Sequence, residues 1–568
     1  MSFAKSLALT INRKFSGHFI ALLAISILIQ LWPVFFTQPI RFALRIAICN
    51  TLLLLSVSWI YRYTSGKVIL FLLTSALTLN FAIAFSTWDI YKSEFNTVFA
   101  MSILATNYSE AKSIAGLYLY ILPIAAFYFV ITWWAVKLLS EKLSTRTKGI
   151  SVILLALFMG YFSISSIIKK NQDLEVYYPL SSRILVNTPL YTASEFVIAD
   201  RDNSLAEHIT QSTPHYPALQ AHDTGIDTYV VIVGESARRS NMQLYGFSQQ
   251  TTPVASAFTH NALIFKHAIA PASATVLAVP MVLSKADPDN FTADSMADNI
   301  VNISRQSGFY TEWISAQGNS GKSNNYIVAI ASTSEKHQWI HTQYDSDLLP
   351  ALDEALKVPG KKVIFLHING SHEMACDRYP QSAAILNTGD KYEDCYNNAI
   401  RFTDSFIGEV VKRIQNSASS LIYFSDHGLE KNPDLASLYM HGSRNPSKEA
   451  YDVPQFIWYS QSALANQKRR IGWVNERWPT TNNYALMLSW LGISTGIENC
   501  DSLLEKCYQP ESQISVMDGG RHIFNYDQLR NTFSAPDQKT PWRKVKRNSL
   551  EITKNRPPPV DQVLALST

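Results

Sequence analysis

The sequence lacks the features that mark several common classes of protein. Its formal net charge is only +4, and no basic stripe is interleaved with aromatic residues, so nothing favours a nucleic-acid partner. No internal repeat or low-complexity segment is evident. Only 5 of the 568 residues are cysteines and no C-x-x-C spacing occurs, which argues against a zinc cluster built on thiolates. What is left is a large protein of ordinary composition, and its length predicts two or three domains.

Long apolar runs are concentrated at the N-terminal end of the chain. Five of them are long enough to cross a bilayer, at residues 19–36, 42–61, 68–87, 117–136 and 150–168. A single run would be interpreted as a buried core helix, but five in succession predict a transmembrane domain over residues 1–168. Since four more spans follow the first, no cleavable signal peptide is expected.

The charges between these spans predict the orientation of the chain. Basic residues precede span one and lie between spans two and three and between spans four and five, among them Lys14, Arg62, Lys67, Lys142 and Arg146. Arg41 and Arg45 weaken this pattern without reversing it. The positive-inside rule therefore places the N-terminus in the cytoplasm and everything after Lys169 outside.

Cysteine usage agrees with an external location. Four of the five cysteines follow the last span, and an oxidising compartment favours disulfides. Their spacing suggests the pairs Cys376–Cys395 and Cys500–Cys507, although three pairings are possible. Cys49 lies within span two and is expected to be free.

The rest of the chain divides into three parts: a linker with short helices at 169–222, a globular domain at 223–535, and a tail at 536–568. A further segment, residues 88–115, separates spans three and four and is suited to lie along the membrane surface. Within it Thr106 and Glu110 lie four positions apart, on one helical face. A solvated helix end is the alternative interpretation of this segment.

Short apolar runs in the globular domain end in polar residues. The run at 228–233 leads to Glu235, and the run at 421–424 leads to Asp426 and His427. Alternation of such runs with helical segments predicts an α/β fold, with a mostly parallel sheet between layers of helices. The carboxyl ends of the strands meet at one edge, where ligands bind. The residues expected there are Glu235, Thr275, His367, His372, Asp426, His427 and His441.

This set of side chains is suited to phosphoryl-group chemistry. Two carboxylates, an imidazole and a hydroxyl are ligands for one Zn²⁺, which would lower the pKa of the Thr275 hydroxyl and make it a nucleophile. Further histidines and Lys322 would bind the anionic oxygens. Each residue also has a plain structural interpretation; Thr275, for example, could simply cap a helix.

At these residues the sequence resembles the phosphoethanolamine transferases of the lipid A-modifying and colistin-resistance type, within the alkaline-phosphatase/sulfatase-like superfamily. The resemblance covers nearly the whole chain. The motifs that carry it are VGESAR (233–238), T-x₄-P (275–280), HINGSH (367–372), RYP (378–380), SDHG (425–428) and YMHG (439–442).

The resemblance implies a function and a set of site residues. One tightly bound Zn²⁺ would be held by Glu235, Thr275, Asp426 and His427, with Thr275 as the nucleophile. His372 and His441 would bind substrate phosphate or a second Zn²⁺. His367, Lys322 and Asn319 would contact phosphate, and Thr106 and Glu110 would meet the ethanolamine end of the donor. The protein would be a monomeric, multi-pass enzyme of the bacterial inner membrane with a periplasmic catalytic domain. Its donor would be phosphatidylethanolamine and its acceptor an envelope glycolipid or glycan.

The sequence departs from the family pattern at several positions. Leu429 stands where a Glu commonly follows DHG, with Glu430 next, and Pro271 and Met281 replace cysteines that often staple the nucleophile loop. Three alternatives stay open: a transferase of another head group such as glycerol phosphate, a sulfatase-like phosphohydrolase, and an inactive membrane scaffold. The sulfatase signature C/S-x-P-x-R is not found. Lipid A, lipopolysaccharide core, periplasmic glucans and protein glycans are all open as acceptors.

Overall fold

The structure is a computed structural model, and it covers most of the chain after the first span. It describes residues 24–29, 31–32, 40–60, 66–91, 95–105, 116, 118–170, 189–212, 214–317, 326–431, 439–443 and 446–532. Four predicted site residues lie outside the described residues: Thr106, Glu110, Asn319 and Lys322.

The N-terminal part consists of helices. They are α1 (Ile40–Ile60), α2 (Gly66–Tyr91), α3 (Thr97–Ala105), α4 (Ile121–Lys142), α5 (Thr145–Lys170) and α6 (Pro189–Gln211). Helix α1 packs against α5, and α2 packs against α4. Helix α6 is one continuous element of 23 residues inside the predicted linker.

Two helices among the described residues are long and apolar enough to cross a membrane, Lys67–Tyr91 and Ile121–Lys142. Both carry large apolar side chains on their outer surfaces, among them Leu79, Leu122 and Trp134. They coincide with predicted spans three and four. The count of five spans stays a prediction.

A mixed eight-stranded sheet organises the globular domain. Along the sheet its strands run in the order β8-β2-β7-β6-β1-β5-β3-β4. Seven strands share one direction, and only β7 is antiparallel to its neighbours. The strands are β1 (Thr228–Gly234), β2 (Ala262–Ile269), β3 (Tyr310–Ser315), β4 (Lys336–Trp339), β5 (Lys362–His367), β6 (Ser419–Ser425), β7 (Asp452–Tyr459) and β8 (Gly472–Pro479). The predicted α/β class with a mostly parallel sheet is confirmed.

Both faces of this sheet are covered, as the strand sequences predict. Along β1, Val231 and Val233 belong to one hydrophobic cluster, whereas Val230 and Ile232 belong to another. Because successive side chains of a strand point to opposite faces, a strand buried on both sides is apolar throughout. The covering helices are α7 (Pro253–Ala257), α8 (Thr275–Leu283), α9 (Ala293–Ala297), α10 (Ile300–Gln306), α11 (Tyr326–Ala331), α12 (Leu349–Lys357), α13 (Lys391–Ile414), α14 (Gln461–Asn466) and α15 (Asn483–Leu491).

Two disulfides and three small ribbons complete the domain. Cys376 is bonded to Cys395 and Cys500 to Cys507, which confirms both pairs suggested by the spacing, and Cys49 is free. The ribbons pair Gln220–Ala221 with Ile493–Ser494, Glu430–Lys431 with Tyr439–Met440, and Ser515–Met517 with Ile523–Asn525.

Helix α3 joins the two parts of the molecule. Its Val98, Phe99 and Met101 belong to the same hydrophobic cluster as one face of the central sheet. Thr97 at its start donates a 2.6 Å hydrogen bond to the buried carboxylate of Glu195 on α6. The N-terminal helices therefore pack directly on the domain that carries the predicted site.

Candidate active site

Four of the predicted site residues come together at the carboxyl edge of the sheet. Glu235 directly follows β1, Asp426 and His427 directly follow β6, and Thr275 is the first residue of α8. The Thr275 hydroxyl lies 3.0 Å from Glu235 Oε2 and 3.1 Å from His427 Nε2. His427 Nε2 lies 3.4 Å from Glu235 Oε1 and 3.4 Å from Asp426 Oδ2. Strands β1 and β6 are neighbours, so their ends deliver these groups side by side.

The turn after β1 is held in an uncommon conformation that directs Glu235. Ser236 has a φ of 59°, which is rare for a residue with a side chain. The Tyr396 hydroxyl donates to Ser236 O at 2.7 Å and accepts from Arg238 N at 2.8 Å. The Ser236 amide donates to Asp426 Oδ1 at 3.0 Å, so the same turn also orients the second carboxylate.

The hydrogen bonds of the cluster leave one metal-binding atom available on His427 and one on Asp426. His427 Nδ1 donates to the carbonyl of Gly428 at 2.9 Å, which leaves Nε2 with a lone pair directed toward the two carboxylates. Asp426 Oδ1 accepts from two backbone amides, whereas its buried Oδ2 has no hydrogen-bonding partner in the part of the chain that the structure describes. A buried oxygen of this kind is normally satisfied by a donor or a cation.

The electrostatics of the cluster also favour a bound cation. Glu235, Asp426 and His427 are at most 1% exposed. Burial, with the nearby charge of Asp426, raises the pKa of Glu235 to about 7, and burial raises the pKa of Asp426 to about 6. Burial lowers the pKa of His427 to about 4, which keeps its imidazole neutral. A divalent cation would compensate the two carboxylates and needs an unprotonated imidazole.

The spacing of the four groups fits zinc. One ligand atom from each of Glu235, Asp426 and His427 can be chosen so that all lie within 4.8 Å of one another. Zinc–ligand bonds of about 2.0–2.1 Å at tetrahedral angles separate neighbouring ligand atoms by roughly 3.3 Å. The four separations given above, 3.0 to 3.4 Å, lie close to that value. Two carboxylates, an imidazole and a hydroxyl at these separations are chemically suited to hold a zinc ion.

Thr275 does not act as a helix cap. Ala274 occupies the N-cap position of α8, and the Thr275 hydroxyl faces the carboxylate cluster instead. The loop before it is tied down by backbone hydrogen bonds: Met517 N donates to Pro271 O at 2.8 Å, and Gly442 N donates to Ser273 O at 2.8 Å. These contacts hold the loop in a segment where Pro271 and Met281 stand in place of the cysteines that the sequence resemblance implies.

Two further predicted histidines lie beside the cluster. The His441 ring stacks on His427 with centroids 5.0 Å apart, and His372 lies 5.3 Å from His441. His441 Nδ1 donates to Glu373 Oε1 at 2.7 Å. Burial alone would lower the pKa of His441, but the Glu373 carboxylate outweighs it and the pKa rises to about 9. Arg378 Nη2 donates to His372 Nδ1 at 3.1 Å, so the proton of a neutral His372 sits on Nε2.

His367 is oriented into the interior. It ends β5 and is fully paired across the sheet, and its Nδ1 lies 3.1 Å from Ser315 Oγ. Because the Ser315 hydroxyl donates its own proton to Gln317 O, its oxygen accepts a hydrogen bond from His367 Nδ1–H. The remaining nitrogen, Nε2, is thus an acceptor, with no hydrogen-bonding partner among the described residues. Burial lowers the pKa of His367 to about 3, so it presents no N–H to a phosphate from that atom.

Three contributors to this site were missed in the sequence. Gln317 Nε2 donates to Glu235 Oε2 at 2.9 Å, Glu373 holds His441, and Arg378 holds His372. Gln317 lies two residues beyond the end of β3, and Arg378 begins the RYP motif, so the position of each could have indicated a role in the site. Glu373 follows His372 directly, but nothing in its local sequence indicates its partners.

Comparisons with known proteins identify the family. A family model described as the transferase YhbX N-terminal domain matches residues 8–210, and a sulfatase model matches residues 227–493. The chain is 34% identical over 477 residues to YhbX of Escherichia coli K12, named as a transferase, which covers 83% of this chain and 86% of that protein. It is 25% identical over 417 residues to the phosphoethanolamine transferase EptC of the same strain, covering 67% and 72%.

Solved structures agree on the fold. The integral membrane lipooligosaccharide phosphoethanolamine transferase A (EptA) from Neisseria meningitidis aligns with a TM-score of 0.55 at 18% identity, covering 89% of this chain and 93% of that chain. The C-terminal periplasmic domain of E. coli EptC, solved in complex with Zn, aligns with a TM-score of 0.50 at 23% identity, covering 56% and 98%. The chain belongs to the family of the transferase YhbX, with an N-terminal part of the YhbX type and a sulfatase-type domain over residues 227–493, and it is similar to phosphoethanolamine transferases.

Proposed function

We propose that this protein transfers phosphoethanolamine from phosphatidylethanolamine to an envelope glycolipid or glycan, such as lipid A or the lipopolysaccharide core. The reaction is zinc-dependent and passes through a covalent phospho-Thr275 intermediate. The observation that carries the proposal is the Thr275 hydroxyl, which lies within hydrogen-bonding distance of Glu235 and His427 instead of capping its helix. The names of the relatives, one of which acts on lipooligosaccharide, support the substrate class.

The chemistry divides into two displacements. In the first, Thr275 Oγ attacks the phosphorus of the donor, its O–H proton leaves, and the bond to the diacylglycerol oxygen breaks, releasing diacylglycerol with a proton. In the second, an acceptor hydroxyl attacks the phosphorus, and Thr275 recovers its proton as the P–Oγ bond breaks. Before the reaction, Glu235 Oε2 accepts a hydrogen bond from the Thr275 hydroxyl. A zinc ion held by Glu235, Thr275, Asp426 and His427 would supply Lewis acidity that lowers the pKa of the hydroxyl.

Two histidines beside the cluster are suited to the phosphate oxygens. His441 is a cation over much of the pH range, since Glu373 raises its pKa to about 9. His372 offers an N–H at Nε2, because its Nδ1 accepts from Arg378. Two donors next to the nucleophile favour phosphate binding over a second zinc ion, which would need the Nε2 lone pair of His372.

The location of the enzyme is part of the proposal. We place the membrane domain at 1–168, the linker at 169–222, the catalytic domain at 223–535 and the tail at 536–568. The N-terminus is cytoplasmic and the catalytic domain is periplasmic, in an oxidising compartment that suits the two disulfides. Thr106 and Glu110 would then meet the head group of the donor lipid, and Lys322 and Asn319 its phosphate.

The test compares two threonines at helix starts. Thr275→Ala should fold like wild type yet form no adduct with vesicles of phosphatidylethanolamine, whereas Thr275→Ser should retain part of the activity. Thr292 is the matched control, since it caps its helix by accepting from Ser295 N. Thr292→Ala should lose about 1 kcal/mol of stability and keep its activity.

The readout is the mass of the peptide that contains Thr275 after incubation with donor lipid alone. A phosphoethanolamine adduct at Thr275 supports the proposal. An active Thr275→Ala enzyme, or an adduct mapped to another residue, contradicts it. Steady release of free phosphoethanolamine without transfer would instead indicate a phosphohydrolase, and an adduct formed only with phosphatidylglycerol would indicate a glycerol phosphate transferase.

A further inference from the structure

Glu373 connects the active site to a membrane-side helix. Glu373 is 8% exposed, and both of its carboxylate oxygens accept hydrogen bonds. Oε1 accepts from the backbone amide of His441 at 3.0 Å and from its Nδ1 at 2.7 Å. Oε2 accepts from the hydroxyl of Tyr91 at 3.2 Å. Tyr91 is the last residue of α2, one of the two helices apolar enough to cross a membrane.

The hydrogen bonds continue to a second tyrosine. The hydroxyls of Tyr91 and Tyr118 lie 3.4 Å apart. Because the proton of Tyr91 is directed at Glu373, the Tyr91 oxygen accepts from Tyr118. Tyr118 precedes α4, the other apolar helix of this part of the molecule. Residues at the ends of both helices are thus joined in one line of hydrogen bonds to Glu373.

The consequence concerns the orientation of His441. With Nδ1 and the backbone amide both bound to one carboxylate oxygen, the ring has a single hydrogen-bonded orientation, stacked on His427 with an interplanar angle of 18°. Its Nε2 is left for the substrate. Loss of the carboxylate that orients a metal-binding histidine typically costs about 10- to 100-fold in activity, and a loss of similar size is expected at His441.

We infer that Glu373 and Tyr91 are positioning residues for the transfer reaction. Glu373 sets the orientation of His441, and the Tyr91 hydroxyl holds Glu373 by a hydrogen bond from the end of α2. This inference rests on the proposed function. It makes the end of α2 part of the catalytic apparatus, so that the geometry at His441 depends on how the catalytic domain sits on the membrane domain. Glu373 and Tyr91 are 282 positions apart in the chain.

The test uses the full-length protein and vesicles of phosphatidylethanolamine. The single-turnover rate of adduct formation at Thr275, at saturating lipid, is measured for each variant. Glu373→Ala should slow this rate about 10- to 100-fold, and Glu373→Gln, which keeps an acceptor oxygen, should restore part of it. Tyr91→Phe should slow it about fivefold with an unchanged half-saturating lipid concentration, as expected for one hydrogen bond. Tyr120→Phe is the matched control, because Tyr120 bonds to Asp89 and not to Glu373; it should react at the wild-type rate.

A double-mutant cycle separates positioning from general damage. If Tyr91 acts through Glu373, Tyr91→Phe should cause no further loss in the Glu373→Ala background. The inference is overturned if Tyr91→Phe reacts like wild type, if its fivefold loss persists in that background, or if Glu373→Gln reacts no faster than Glu373→Ala. Melting curves of all variants check that the rates refer to folded protein. Absence of any adduct in the wild type would contradict the proposed function itself, whereas a wild-type adduct with unaffected variants would contradict only this inference.

Discussion

Gly370 offers a way to disturb the site without touching a functional side chain. Its φ is +50°, and a Cβ at this position would lie 2.7 Å from the carbonyl oxygen of Glu235 and 3.1 Å from its Cβ. That carbonyl accepts a 3.0 Å hydrogen bond from Ser371 N. In Gly370→Ala, therefore, the backbone of Glu235 must move and its hydrogen bond to Ser371 must weaken.

The expected cost has two parts. A left-handed conformation costs an alanine about 1–2 kcal/mol. Overpacking against a fixed backbone adds about 1–3 kcal/mol. The sum, roughly 2–5 kcal/mol, should lower the melting temperature by at least about 4 °C. Since Glu235 is a predicted zinc ligand, the zinc content of the purified protein should fall with the stability.

A matched glycine separates the two parts. Gly360 has a φ of +86°, and a methyl group added there would have nothing within 4 Å, so Gly360→Ala meets the backbone cost alone. Melting curves and elemental analysis of both variants give the comparison. If Gly370→Ala is destabilised no more than Gly360→Ala and retains wild-type zinc, the argument that Gly370 positions Glu235 is refuted.

Two further predictions concern charged groups. Asp426→Ala should lose bound zinc in elemental analysis. Asp353→Ala is the control, since it removes a partly exposed carboxylate paired with Arg413, and it should retain the zinc. Equal zinc in both variants would contradict the assignment of Asp426 as a ligand. Burial raises the pKa of Asp404 to about 6, so the folded protein holds a proton that the unfolded chain releases near pH 4. The free energy of unfolding should therefore decrease as the pH rises from about 4 to about 6 and level off above that, and Asp404→Asn should remove this part of the slope. Melting curves across this pH range decide it, and parallel profiles for the two proteins would contradict the prediction.

The edge of the sheet was predictable because strand position alone brings its residues together. Glu235, Asp426 and His427 each follow a buried apolar run, and in parallel neighbouring strands such positions must be adjacent. The reversed direction of β7 was not predictable in the same way. A strand buried on both faces is apolar throughout, and this pattern is the same in either direction.

Contacts between distant parts of the chain cannot be inferred from local sequence patterns. Glu373 owes its role to His441 and Tyr91, and neither partner is indicated by the residues around it. The same limit applies to His367, which the motif suggests as a phosphate contact. The orientation of its ring depends on Ser315 in a neighbouring strand. The Ser315 hydroxyl accepts a hydrogen bond from Nδ1–H, so Nε2 carries a lone pair and can only accept.

The departure after the SDHG motif has a structural reason in the ribbon that follows it. Leu429 is buried in one of the two hydrophobic clusters that cover the sheet, and a carboxylate buried among apolar side chains would be destabilised. Glu430, one residue later, accepts hydrogen bonds from the hydroxyl of Ser443 at 2.6 Å and from the amide of Ser447. Glu430 pairs with Met440, the residue before His441. Glu430 and Glu373 thus both hold the segment that carries His441, Glu430 through Met440 and Ser443 and Glu373 through the backbone amide and Nδ1 of His441.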